Sequence, residues 1–236
     1  RPEPETRHEV FTARLASFMT GLLLILLLPS AQSQAAGQQK RSQLSKAEIS
    51  EAEQRLSDLG YWAGPVDGRL DPVSRHALIA FQKVEGRERT GRLTNDELIA
   101  LRTAERPTPR ETGAPHFEID IARQVLFYVD ETGKVLNILP VSTGNGRPYN
   151  ENGQKGVADT PLGTFRVYQK IKGWRRAPLG LLYYPNYILR GYAIHGSPSV
   201  PTFPASHGCI RIPMFAAVEI SKLATVGMVV IVYNSA

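Results

Sequence analysis

His116-Phe117-Glu118-Ile119-Asp120-Ile121-Ala122-Arg123-Gln124-Val125-Leu126-Phe127-Tyr128-Val129 sets the period of the larger part of this chain. Phe117, Ile119 and Ile121 alternate with polar side chains, and 124–129 is a run of β-branched and aromatic residues. A period of two puts alternate side chains on opposite faces of a sheet. Asp130-Glu131-Thr132-Gly133 turns the chain into a second apolar run at 135–141. Further strands are expected at 163–169, 187–194 and 227–233, and only 213–224 has helical character. Short strands joined by Gly-rich turns predict a mainly β domain over residues 116–234, an antiparallel sandwich or barrel. The stretch 142–156 is glycine-rich but lacks the Gly-Lys-Ser/Thr of a phosphate loop, and reads as a long mobile loop.

Upstream the period becomes helical. Ser45-Lys46-Ala47-Glu48 is a capping box, and Ile49, Ala52, Leu56 and Leu59 fall on one helical face behind it. Asp71-Pro72 supplies a second N-cap with proline in the first turn, and Thr94-Asn95-Asp96-Glu97 a third cap. Residues 44–104 therefore read as three short helices around a small core. Pro107, Pro109 and Pro115 make 105–115 a semi-rigid linker. At the amino end, Arg7 and Arg14 precede an apolar run at 18–28, then Pro29 and small residues. That order predicts a signal peptide over residues 1–36 and an exported protein of the periplasm or cell envelope. The run is shorter than the about 20 residues a spanning helix needs, so an uncleaved membrane anchor is the alternative.

Composition narrows the partners. With 42% hydrophobic and 21% charged residues the chain is globular rather than disordered. The net charge of +6 is spread without a Lys/Arg block, which argues against nucleic acid and suits an acidic polymer such as a bacterial wall. A single cysteine excludes an internal disulfide framework.

That cysteine, Cys209, lies in Ala205-Ser206-His207-Gly208-Cys209-Ile210-Arg211, and Tyr192-Ala193-Ile194-His195-Gly196-Ser197 precedes it. A lone thiol is often a small buried hydrophobe. Two histidines within reach favour a nucleophile instead, because an imidazole generates the attacking thiolate. The His195-Gly196 step followed by Ser206-His207-Gly208-Cys209-Ile210-Arg211 resembles the active-site signature of the L,D-transpeptidases with a YkuD-type catalytic domain. Thr160-Pro161-Leu162-Gly163-Thr164-Phe165 resembles a second signature of that family. Leu59-Gly60-Tyr61, Val66-Asp67-Gly68 and Phe81-Gln82 resemble, in order, the peptidoglycan-binding module often joined to wall enzymes.

The resemblance implies an acyltransferase without a cofactor or metal, acting on peptidoglycan stem peptides. Cys209 would be the nucleophile and His195 the base, its ring oriented by the carbonyl of Gly196. Amides around His207, Gly208 and Cys209 would form the oxyanion hole. Arg211 and Ser206 would contact substrate, and Tyr61 and Trp62, beside a Gly-Pro loop, would offer a platform for sugar or peptide. A covalent adduct of a carbapenem-type β-lactam at Cys209 is also implied. Within the family, an L,D-carboxypeptidase or an enzyme attaching protein to the wall is the alternative. Outside it, the alternatives are a non-catalytic peptidoglycan-binding protein and a zinc site built from His195, His207 and Cys209.

Overall fold

Helix α1 (Lys46–Asp58) opens with Ser45, whose hydroxyl accepts the Glu48 N–H while the Glu48 carboxylate accepts the Ser45 N–H, the capping box anticipated above. The computed structural model describes residues 44–235, so the signal-peptide or anchor reading of 1–36 lies outside the described residues. Among them no helix is long and apolar enough to cross a membrane. Asp71 caps α2 (Pro72–Val84) and Thr94 caps α3 (Asn95–Thr103), each accepting a backbone N–H three residues on. Ala52, Leu56, Ala77, Leu78, Phe81, Leu98 and Leu101 form the helical core.

That core does not close on itself. Val125, Phe127 and Val129 of β2 (Val125–Val129), with Val135 and Ile138 of β3 (Val135–Pro140), belong to the same cluster. Leu126 and Leu139, pointing the other way, belong to a second cluster inside the β domain. The two faces of one sheet thus serve two cores. The sheet runs β3-β2-β1-β12-β6, with β1 at His116–Asp120, β6 at Gly163–Arg166 and β12 at Val229–Tyr233. Its outer strand β3 is covered by 60–62: Ile138 N–H donates to the Gly60 carbonyl at 2.8 Å and Trp62 N–H to that of Ile138 at 3.2 Å. An edge that would otherwise invite pairing is thereby closed.

The aromatic platform expected at Tyr61 and Trp62 is overturned by this packing. Tyr61 is 3% exposed and meets Phe81 edge-on at 5.7 Å between ring centres. Trp62 is half-buried against the β-domain core. The linker is fastened as well. Arg106 donates to the carbonyls of Val135 (2.6 Å) and Asp58, and Glu118 accepts the N–H groups of Arg110 and Glu111.

The second sheet runs β11-β10-β9-β7, with β8 also on β9. Its strands are β7 (Gln169–Lys170), β8 (Trp174–Ala177), β9 (Gly180–Leu189), β10 (Tyr192–Ser197) and β11 (Ile210–Pro213). Helix α4 (Met214–Leu223) packs Ala216, Ala217 and Ile220 against Ile194, Ile210 and Ile212. The expected mainly β architecture is present, with two differences. The β1–β12 and β10–β11 pairs are parallel. The single strand expected at 187–194 is two strands reversing at Arg190-Gly191, a turn hidden inside an apolar run. The stretch 142–156 also holds structure: β4 (Pro148–Glu151) and β5 (Gln154–Val157) form a separate hairpin.

A shared core makes one thermodynamic unit. Phe81→Ala is expected to cost the whole chain about 3–5 kcal/mol and to lower a single unfolding midpoint by about 6–20 °C. Calorimetry showing two independent transitions, with only one displaced, would contradict the shared core.

Candidate active site

Strands β10 and β11 run parallel with His195 opposite Arg211 and Ile194 opposite Ile210. Ile194, Ile210 and Ile212 are fully buried toward α4. Alternation therefore sends His195, Arg211 and Cys209, which immediately precedes β11, to the opposite face. Gly196 makes the inner face possible. A Cβ there would stand 2.6 Å from that of Ala217, so only glycine lets α4 approach β10 this closely.

The His195 ring is 5% exposed, and its Nδ1 hydrogen-bonds the Gly196 carbonyl at 2.9 Å. That bond places the proton on Nδ1 and leaves Nε2 as the free acceptor. Burial, and secondarily the charge of Arg211, pull the His195 pKa down to about 4 against the opposing pull of the Gly196 bond. Burial likewise raises the Cys209 thiol, whose Sγ donates to the Gly191 carbonyl at 3.5 Å, while the backbone at Ala193 and the Arg211 charge oppose the rise. The resting pair is neutral thiol and neutral imidazole.

A turn delivers Cys209. Gly208 has φ +125, and a Cβ there would stand 2.6 Å from both the Asp159 carbonyl oxygen and the Tyr192 ring, so the position requires glycine. The Ser206 hydroxyl accepts the Gly208 N–H at 2.9 Å and donates to the Cys209 carbonyl at 2.6 Å. Ser206, 2% exposed, is spent on shaping the turn, which corrects its assignment to substrate. The same bond takes the Gly208 N–H out of the expected oxyanion hole, and the amides of His207 and Cys209 are left without an acceptor among the described residues. His207 does not share the His195 face. Its Nε2 lies 3.3 Å from Glu151 and its ring meets Tyr149 at 5.0 Å, both on the β4–β5 hairpin. Among the described residues no group of three His, Cys, Asp or Glu side chains is placed to hold a metal.

Arg211 is partly buried, and desolvation lowers its pKa. Its guanidinium has no hydrogen-bond or ion-pair partner among the described residues. Tyr187 also adjoins the thiol: its phenol is raised by burial and by Cys209 nearby, while the charge of Arg175 opposes the rise. Neither carries a sequence signal. Thr160 did, through its motif, but no role followed from it. Its hydroxyl accepts the Gly144 N–H at 2.9 Å and donates to the Gly208 carbonyl at 2.7 Å.

Residues 114–232 match the L,D-transpeptidase catalytic domain, and residues 45–101 a putative peptidoglycan-binding domain. The crystal structure of the L,D-transpeptidase from Xylanimonas cellulosilytica is 38% identical over 79% of this chain and 93% of that one, with a TM-score of 0.75. The chain belongs to the L,D-transpeptidase family. An L,D-transpeptidase from Stackebrandtia nassauensis aligns at 18% identity over 78% of this chain and 90% of that one, with a TM-score of 0.46. Comparison with curated proteins gives no match. The candidate site is a ledge of two parallel strands, one carrying His195 and the other led by Cys209.

Two outcomes follow for this L,D-transpeptidase. Gly196→Ala forces α4 away from β10 and is expected to cost about 1–3 kcal/mol, part of which Ala217→Gly in the same chain restores. Denaturant unfolding of the single and double variants measures this, and no recovery would mean that Ala217 is not the obstacle. The second concerns acid. His195 falls from 6.5 to about 4 on folding, so the unfolded chain binds the extra proton between those values. Its contribution is present above pH 6.5, is lost as pH falls toward 4, and is on the order of 3 kcal/mol. His195→Gln is expected to flatten that part of the stability–pH curve.

Proposed function

We propose that this L,D-transpeptidase uses Cys209 as its nucleophile on peptidoglycan stem tetrapeptides, releases the terminal D-alanine and joins two stems through their third residues. The observation that carries this reading is the common face of His195, Cys209 and Arg211 on the β10–β11 ledge, with Nδ1 of His195 tied to Gly196. Both matched domains are of kinds that bind or act on peptidoglycan, which supports work at the cell envelope, outside the cytoplasm.

Nε2 of His195 is the acceptor for the thiol proton. Because the thiol is raised and the imidazole lowered, the proton moves as sulfur attacks rather than beforehand. The Sγ–carbon bond forms at the third residue's carbonyl, and the oxyanion takes hydrogen bonds from the amides of His207 and Cys209. Each such donor is worth about 3–4 kcal/mol. The imidazolium returns its proton to the departing amine, the bond to D-alanine breaks, and a thioester remains. An amine of a neighbouring stem then attacks. The new amide forms, the carbon–sulfur bond breaks, and the amine's proton passes through His195 to the thiolate. Arg211, with no carboxylate of its own, docks a carboxylate of the stem through its planar fork.

Purified tetrapeptide stems incubated with the full chain are expected to yield dimers lighter by one D-alanine, read by mass spectrometry. Cys209→Ala is expected to abolish them. Incubation with a carbapenem is expected to leave one adduct on the wild type and none on the variant. Dimers made by Cys209→Ala would end the nucleophile assignment, and tripeptides alone from the wild type would make water the acceptor.

A further inference from the structure

Lys83 sits in α2 at the seam between helices and sheet, and is 1% exposed. Its Nζ donates to the backbone carbonyls of Gln124 at 3.0 Å and Val141 at 2.9 Å. A buried lysine held only by carbonyls is costly to keep. Burial, and then the nearby Arg89, lower its pKa to about 7. Both ammonium and amine can donate two N–H bonds, so the hold persists on either side of neutrality.

Both carbonyls belong to the roots of the segment that carries the Cys209 turn. The Gln124 carbonyl also accepts the Val141 N–H at 2.9 Å. The Gln124 side chain accepts the Thr143 N–H at 2.9 Å and donates to the Thr143 hydroxyl at 2.6 Å. Gln124 itself holds φ 61, a left-handed conformation unusual for a residue other than glycine, so the surrounding bonds must fix it. The Thr143 carbonyl receives the N–H groups of Ala205 (3.0 Å) and Ser206 (2.9 Å), and the Ser206 hydroxyl closes on Cys209. Five linked hydrogen-bonding residues thus run from the helical module to the backbone of Cys209: Lys83, Gln124, Thr143, Ser206 and Cys209.

We propose that Lys83 is a positioning residue for the Cys209 turn, acting through Gln124 and Thr143, so that the helical module is a working part of the reaction centre. This rests on the reading of Cys209 as the nucleophile. Nothing in the peptidoglycan-binding resemblance of the module assigns it such a task.

The test is Lys83→Met in the full chain. Methionine keeps the apolar stem and removes both donors, leaving the Val141 carbonyl short of a partner and so slightly lowering stability. On tetrapeptide stems, kcat is expected to fall about 10–100-fold, the scale on which small misplacements act, while KM stays within about 3-fold. Amide hydrogen exchange is expected to quicken at Thr143, Ala205, Ser206 and Gly208 and to stay at wild-type rates in α4 and β12. Wild-type kcat and exchange in the variant would overturn the proposal. So would a loss of kcat accompanied by faster exchange in α4 and β12 as well, since Lys83 would then only hold the fold. Should Lys83→Met fail to fold, Gln124→Met cuts the next link and is held to the same outcomes. An inactive wild type would overturn the proposed function, and the exchange pattern would still decide the link from Lys83.

Discussion

Three successive residues, Ser142, Thr143 and Gly144, hold the backbone turn that carries Cys209. Ser142 pairs its backbone with Arg211 on β11 in both directions, at 3.0 and 3.1 Å. The Thr143 carbonyl takes two amides of the turn, and the Gly144 amide meets the Thr160 hydroxyl, which in turn reaches the Gly208 carbonyl. Without this rail the segment 205–209 would be a surface loop carrying a strained glycine. With it, the amides of Ala205, Ser206 and Gly208 and the carbonyls of Gly208 and Cys209 have partners, while the amides of His207 and Cys209 have none among the described residues. Gly144 must be glycine for the same reason, since a Cβ there would collide with the carbonyl of Ala158.

Burial then fixes the proton inventory. Desolvation is the largest influence on both His195 and Cys209, and it acts in opposite directions on an acid and a base, leaving both neutral. A neutral pair is stable in a poorly solvated site and charges only as bonds change. Arg211 adds a positive charge that favours thiolate and disfavours imidazolium. In the proposed reaction it therefore helps the sulfur and hinders the base until a substrate carboxylate neutralises it. In that arrangement the arriving stem would complete the electrostatics of the site.

The helix caps and the alternation at 116–129 were legible because each depends on neighbouring residues alone. The neighbourhood of His195 and Cys209 was legible too, through a motif whose spacing reflects two adjacent strands. Tyr61 and Trp62 were misread because an aromatic pair beside a Gly-Pro turn looks the same whether it faces water or a second core. Ser206 was misread for a related reason: a serine beside a nucleophile has one proton, and only the turn geometry tells whether backbone or substrate receives it. The reversal at Arg190-Gly191 lay within a run apolar on both sides. Lys83 and Gln124 gave no signal at all, since their partners are backbone carbonyls and amides distant in sequence.

The same sheet explains why helices and reaction centre are mechanically joined. Val125, Phe127 and Val129 face the helices while Leu126 faces the core under the site, so β2 cannot shift for one without shifting for the other. Close-packed interiors transmit such displacements rather than absorbing them. The hairpins around the ledge are built differently. Strands β4 and β5 are almost wholly exposed and touch the turn mainly through His207, Tyr149 and Glu151. Elements with so few buried contacts open at low cost. The chain therefore keeps His195 and Cys209 over a core backed by a sheet that is packed on both faces, and places around them parts that open at low cost.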